Sequence, residues 1–284
     1  MIIACTDGSL YASSVYHHAA WAASRQSAPI HVLHVIERHE HPSERDLSGT
    51  IGFDASAELL AELALADETH ARVARLRGQA ILDDAMRQLR AATTDESPDI
   101  SATQRHGSLV DAVDELADDT SLIVIGKRGE HADFARGHLG SNLERVVRSV
   151  PVPVLVASRE FRTPDRFLIA FDGGASARKA VHYLTTEPLL RGAECHLLAV
   201  GKADGELARQ LETAADSLRA AGFSVTADLL PGDADDIIAR EVKEREIHLL
   251  VMGAYGHTRV RQLILGSTTT TLLRTCTVPV LLFR

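Results

Sequence analysis

Short apolar runs alternate with amphipathic stretches along the chain. In the C-terminal half the pattern predicts strands at Phe167–Phe171, Glu194–Val200, Ser224–Leu229, Leu249–Met252 and Val280–Phe283. Helices are predicted between them, near Ala175–Leu184, Gly205–Ala221, Ala234–Glu244 and Ser267–Thr275. Runs such as "HLLVMG" and "PVLLF" are apolar on both faces, as parallel strands covered by helices require. Strand–helix alternation of this kind predicts a doubly wound α/β architecture.

The pattern is written twice. "IIACTDGSLYASSV" at Ile2 resembles "FLIAFDGGASARKAV" at Phe167, and "IHVLHVIE" at Ile30 resembles "CHLLAVGK" at Cys195. "DAVDELADDTSLIVIGKRG" at Asp111 resembles "DIIAREVKEREIHLLVMGAYG" at Asp236, and "LGSNLERVVRSVPVPVLVAS" at Leu139 resembles "LGSTTTTLLRTCTVPVLLFR" at Leu265. Four blocks in one order indicate duplication of a domain, with units expected at 1–158 and 165–284 joined by the polar "SREFRTPDR". Asp7 and Asp172 are 165 positions apart but Gly126 and Gly253 only 127, so the first unit carries about 38 extra residues. They fall within about 38–96, and Ala, Leu, Glu and Arg at three- and four-residue spacing predict a long helix from about Ser56 to Ala92.

Composition narrows the function. The net charge of -9 argues against nucleic-acid binding, which needs clustered cations. No apolar run approaches the roughly 20 residues of a membrane-spanning helix, and "MIIACTDGS" turns polar too soon for a signal peptide. Cys5, Cys195 and Cys276 fall singly, which fits a reducing cytoplasm better than a disulfide framework. Aromatic content is 4%, so the core is built from aliphatic residues and alanine.

The chemistry concentrates in "VMGAYGHTRVRQLILGSTTTTLLR". Gly253 and Gly256 follow an apolar strand, Arg259 and Arg261 follow without an acid, and Gly266 precedes Ser267 and Thr268 at a helix start. Glycines admit close approach of a ligand to the backbone. A helix N-terminus offers free N–H groups and partial positive charge. The combination suits a phosphate chain. Neither a Walker loop nor a G-x-G-x-x-G fingerprint is present. In open α/β sheets ligands bind beyond the strand ends at the switch point, where Asp172 and Gly253 are expected.

Gly253-x-x-Gly256, nine residues, then Gly266-Ser267 resembles the nucleotide-binding signature of the universal stress protein family. The Asp-Gly openings "TDGS" and "FDGG", "LPGDADDIIAREV" and the closing "VPVLVA" and "VPVLLF" resemble its other blocks, over nearly the whole chain. The resemblance implies two tandem domains of the adenine nucleotide alpha hydrolase-like kind, each with a five-stranded parallel sheet. It implies ATP, ADP or AMP, with or without Mg2+, across the first and fourth strand ends. Asp172 would lie near the adenosine or a metal-bound phosphate, and Gly253, Gly256, Gly266, Ser267 and Thr268 would wrap the phosphates. It further implies a cytoplasmic regulatory protein of the stress response, of a family often dimeric through the closing strand; the edge strands "VPVLVA" and "VPVLLF" are expected to pair within the chain as a pseudo-dimer, with a homodimer of two such chains left open.

The first unit departs from the signature. Asp7, Gly126, Gly129, Gly140 and Ser141 are its corresponding residues, but ten residues separate Gly129 from Gly140 and include Glu130 and Asp133. Asn142 replaces the hydroxyl of Thr268, and Lys127 and Arg128 are expected to compensate in part. Nucleotide is therefore expected mainly in the second unit. Asp172 also suits a helix cap, and Gly253 and Gly256 a tight turn. His31, His34, His39 and His41 make a poor metal site, since His31 and His34 fall on opposite strand faces. His17 and His18 read as a solvated or interface pair, Cys5 as a packing residue, and "DAVDELADD" as a solvated face. No nucleophile is evident. A slow ATPase and a nucleotide-free scaffold, with the long helix as docking surface, are the other readings.

Overall fold

The computed structural model describes residues 1–37, 53–93, 98–129, 140–202, 205–255 and 265–284. Its first half runs β1 (Ile2–Cys5), α1 (Ala12–Gln26), β2 (Ile30–Ile36), α2 (Phe53–Ala92), β3 (Ile100–His106), α3 (Leu109–Asp114), a 3-10 turn (Ala117–Asp119), β4 (Leu122–Gly126), α4 (Ser141–Ser149) and β5 (Val154–Ala157). The second half runs β6 (Arg166–Ala170), α5 (Ala175–Thr186), β7 (Glu194–Val200), α6 (Gly205–Ala220), β8 (Ser224–Leu230), α7 (Ala234–Glu244), β9 (Leu249–Gly253), α8 (Ser267–Thr275) and β10 (Val280–Phe283). The expected α/β architecture is present.

Among the described residues ten strands join one sheet in the order β3-β2-β1-β4-β5-β10-β9-β6-β7-β8. Pairing is parallel within each half. Among the described residues it is antiparallel only between β5 and β10, where Val280, Leu281 and Leu282 face Val156, Leu155 and Val154. The two closing strands therefore cover one another's edges, which would otherwise invite pairing with other chains.

Strand residues alternate between two apolar layers. Ile2, Ala4, Phe167 and Ile169 pack with α1, α2, α5 and α6; Ile3, Cys5, Leu168 and Leu250 pack with α3, α4, α7 and α8. The central strands are apolar in both directions because helices roof both faces, while the edge strands β3 and β8 carry polar, partly exposed residues. Cys5 packs in the second layer, where burial pushes its thiol up to about 12.

The inserted helix α2 presents Gly78, Leu82, Ala85 and Leu89 inward. A Cβ on Gly78 would lie 2.6 Å from Gln104 Nε2 and 2.8 Å from His34 Cδ2. That close approach explains a glycine inside a helix, where it costs about 1 kcal/mol against alanine. Outward, the helix exposes Leu65, Val73 and Leu76.

His31 and His34 do fall on opposite faces of β2: His31 meets Ser101 Oγ at 2.8 Å, and buried His34 donates from Nδ1 to the Thr6 carbonyl at 2.8 Å. His39 and His41 lie outside the described residues. Among the described residues no group of three His, Cys, Asp or Glu is placed to hold a metal. The acidic run turns outward as expected, with Asp111, Asp114, Asp118 and Asp119 exposed. His18 corrects the solvated reading of its pair. It is fully buried, its Nδ1 donates to Ser14 O at 2.8 Å, and its ring meets Phe161 edge-on at 4.9 Å. His17 stacks on the same ring at 6.0 Å, so the segment joining the halves is pinned to α1 by one aromatic side chain.

Candidate functional site

In each half the strand order reverses between the first strand and the fourth, so the switch points lie between β1 and β4 and between β6 and β9. In the second half, Ala170 is registered with Met252. The chain leaves both strands side by side there, bringing Asp172 and Ala254 to the same end of the sheet.

Asp172 forms a local turn: its Oδ1 accepts the Gly174 N–H at 2.8 Å, immediately before α5. This corrects the helix-cap reading: the N-cap of α5 is Gly174, no side chain caps the helix, and Asp172 closes the turn before it with its side chain exposed. Gly173 bends the chain through a left-handed conformation, with φ of 72°. Gly253 ends β9 against α5, where an added Cβ would stand 2.9 Å from Ser176 Cβ. A packing reason for this glycine therefore exists beside any ligand.

Helix α8 starts directly against this strand end. The Gly266 N–H donates to Ala254 O at 3.1 Å, and buried Thr269 donates from Oγ1 to Gly253 O at 3.1 Å. Gly266 supplies no side-chain cap, and the first turn has no acid. The N–H groups of the first turn lack intrahelical partners by construction. Ser267 is exposed and Thr268 half-buried, so both hydroxyls belong to the rim of the site. Gly256, Arg259 and Arg261 lie outside the described residues.

The first half shares the scaffold with a different filling. Gly126 ends β4 with its Cβ position 2.9 Å from Tyr11 Cβ, the counterpart of the Gly253 contact. Asp7 Oδ1 accepts the Ser9 N–H at 2.9 Å, and Asp7 Oδ2 lies 3.0 Å from the Cβ position of Gly129. Gly140 in turn has its Cβ position 3.8 Å from Gly129 N. Asp7, Gly129 and Gly140 are thus brought together, and Asp7 is half-buried where Asp172 is exposed. Ser141 opens α4. Glu130 and Asp133 lie outside the described residues.

Lys127 does not compensate for those acids as its charge suggested. It is buried and reaches across the joint, donating from Nζ to the Cys276 carbonyl at the end of α8. A cation is favoured at a helix C-terminus, while burial pulls its amine down to about 8. Two residues outside the sequence reading also enter the site. Asn142 donates to Glu37 Oε1 at 2.5 Å, setting a carboxylate at the start of α4. Ile81 of α2 comes down over Gly8, with its Cδ1 2.8 Å from the glycine's Cβ position.

This scaffold has known relatives. The model of the universal stress protein family matches residues 1–158 and 199–284. The universal stress protein Slr1230 of Synechocystis sp. is 39% identical over 287 residues, spanning 100% of this chain and 99% of the relative. A universal stress protein structure from Archaeoglobus fulgidus superposes with a TM-score of 0.70 at 23% identity, covering 100% of this chain and 95% of that one. A Pseudomonas aeruginosa protein described as functionally unknown gives 0.64 at 19% identity, covering 99% and 91%. The two structures support the fold.

Proposed function

This chain belongs to the universal stress protein family, and from that premise we propose that it is a nucleotide-binding regulatory protein whose second half holds the nucleotide. The observation that carries the reading is the start of α8. An uncapped, acid-free helix N-terminus with two rim hydroxyls stands against the end of β9 at the switch point. Such a terminus suits a phosphate chain.

In this reading the ligand is ATP, ADP or AMP, alone or with Mg2+. Gly253, Gly256, Gly266, Ser267 and Thr268 wrap the phosphates, and Asp172 lies toward the adenosine or a phosphate-bound cation. Asp7, Gly126, Gly129, Gly140 and Ser141 form a weaker copy. The functional units are 1–158 and 165–284, acting in the cytoplasm in the stress response. Among the described residues no helix is long and apolar enough to cross a membrane. Regulation requires that the nucleotide favour one arrangement of the protein over another.

Two other readings keep a foothold. A slow ATPase uses the same site and predicts turnover lost with Asp172→Ala. A scaffold role draws on the exposed Leu65, Val73 and Leu76 of α2.

The test is calorimetric titration of nucleotide-stripped protein with Mg-ATP, beside Gly256→Val and Gly129→Val. One site per chain, lost only with Gly256→Val, is expected. Absence of binding to the stripped wild type refutes the reading and favours the scaffold.

A further inference from the structure

The repeat places opposite charges at one position. "IHVLHVIE" and "CHLLAVGK" align Glu37 with Lys202. The hydrogen bonds agree: the Thr6 N–H donates to Leu33 O at 3.0 Å, and the Phe171 N–H to Leu198 O at 2.8 Å, fixing β2 and β7 in the same register against β1 and β6. Both residues leave the carboxyl end of the strand beside the switch point. Glu37 is held there by Asn142 at the second position of α4. The counterpart of Asn142 is Thr268, at the second position of α8.

A second contrast lies over the loop after the first strand. Gly8 and Gly173 are counterparts, with φ of 73° and 72°. Above Gly8 sits the apolar end of Ile81; above Gly173 sits the Oε1 of Gln210. At these two aligned positions one half has a carboxylate and a hydrocarbon where the other has an ammonium and an amide, the amide donating in turn to Glu206 at 2.7 Å.

Resting on the nucleotide reading of α8, the geometry points to Lys202 as the side chain that recognises the ligand's phosphates in the second half. Its counterpart Glu37 is a built-in anion that keeps phosphates out of the first half, with Ile81 closing the space beside it. The physics is direct. A helix N-terminus attracts one anion. In the first half the protein's own carboxylate stands beside that helix start, on the Asn142 side chain, and a phosphate entering there meets a like charge. In the second half the position is cationic, and Lys202 has no hydrogen bond or ion pair to another described residue, so its ammonium can be given wholly to a ligand. Charge-assisted hydrogen bonds are the strong ones, and three rotatable donors suit a chain of phosphates.

The experiment titrates the nucleotide-stripped full chain with ATP, AMP and adenosine. Wild type, Lys202→Gln, Lys202→Glu and Glu37→Lys/Ile81→Gln are compared, and thermal unfolding without ligand checks each fold. Lys202→Glu is expected to weaken ATP by at least about tenfold, AMP by less and adenosine not at all, with Lys202→Gln intermediate. The ATP deficit shrinks as salt is raised. The double variant is expected to raise the stoichiometry above the one site per chain expected of wild type. Wild-type ATP affinity in Lys202→Glu, or an equal loss for adenosine, overturns the assignment of Lys202 and leaves the α8 site standing. Unchanged stoichiometry in the double variant overturns the assignment of Glu37 and Ile81. Absence of ATP binding by wild type overturns the site and this inference together.

Discussion

Leu155 and Leu281 occupy the same place in the two repeats and are each other's partners across the antiparallel joint. Val154 with Leu282 and Val156 with Val280 are then related by the same exchange. The joint is self-complementary, as an isologous contact between identical subunits is. It is closed by side chains that cross it: Arg284 donates to Ser149 O at 3.1 Å, Gln26 to Tyr183 Oη at 2.7 Å, and Lys127 to Cys276 O.

Separating the halves therefore leaves β10 as a bare apolar edge. Residues 165–284 expressed alone are expected to dimerise through it. Light scattering should report twice the monomer mass at micromolar concentration; a monomer there would show that the joint depends on the first half.

Acid is expected to loosen the protein through His18. Burial lowers its pKa from 6.5 to about 4. Between those values the unfolded chain takes up a proton that the folded chain refuses, so stability falls as pH drops through that window. The cost approaches about 3 kcal/mol at the acid end. His18→Phe keeps a ring against Phe161 and should flatten the dependence of the melting temperature between pH 7 and pH 4.5. An unchanged slope would assign the acid sensitivity elsewhere.

Gly253→Ala should destabilise the fold without any ligand, because the new Cβ meets Ser176 Cβ at 2.9 Å. Overpacking of this kind costs about 1–3 kcal/mol. Adding Ser176→Gly removes the opposing atom and should recover part of the loss in urea unfolding. No recovery would mean that the glycine serves the backbone rather than the packing.

Arg245, at the end of α7, ties that helix to the two strands β7 and β8 through its side chain. It meets Glu241 Oε2 at 2.7 Å, Asp228 Oδ2 at 2.8 Å and His196 Nδ1 at 3.1 Å. Its hydrogen bond to Glu241, with that of Arg240, holds this buried carboxyl below its ordinary range. That contribution is present at neutral pH and is lost as pH falls through the folded pKa. Arg245→Met should cost about 1.5–3 kcal/mol in denaturant unfolding by leaving Glu241 to Arg240 alone, and Arg245→Met/Glu241→Leu should lose less. A double variant as weak as the single would show that Asp228, not Glu241, is the partner that matters.

The elements were legible because the central strands are apolar in both directions and each helix in one; the edge strands β3 and β8 are mixed. Glu194–Val200 and Val280–Phe283 lie where the pattern put them, and β6 begins one residue earlier than expected. The pairing of "VPVLVA" with "VPVLLF" followed from their exposed edges. The site was legible in residue type but less so in direction. Lys127 carries the charge that a phosphate loop wants, yet its stem is long enough to cross the joint, and only the packing shows that it does. Gly253 and Gly126 lack side chains for helix packing as well as for ligand access, and sequence does not separate the two needs. His18 sits in an alanine-rich helix beside a polar neighbour, so nothing local revealed that Phe161 would fold back over it. Glu37 and Lys202 were readable as a sign reversal in an aligned block. The reversal acquires meaning only when Asn142 is seen to hold one of them.

The single antiparallel seam has a geometrical consequence. The carboxyl ends of the first five strands and of the last five point out of opposite ends of the sheet. Two separate copies joined this way would make an object with identical poles. One continuous chain, with unlike residues at the two ends, has a front and a back. If the second half alone holds nucleotide, as proposed, a partner that senses it would meet it at one pole only. The molecule would then be monovalent, and the other pole would be free to drift in sequence.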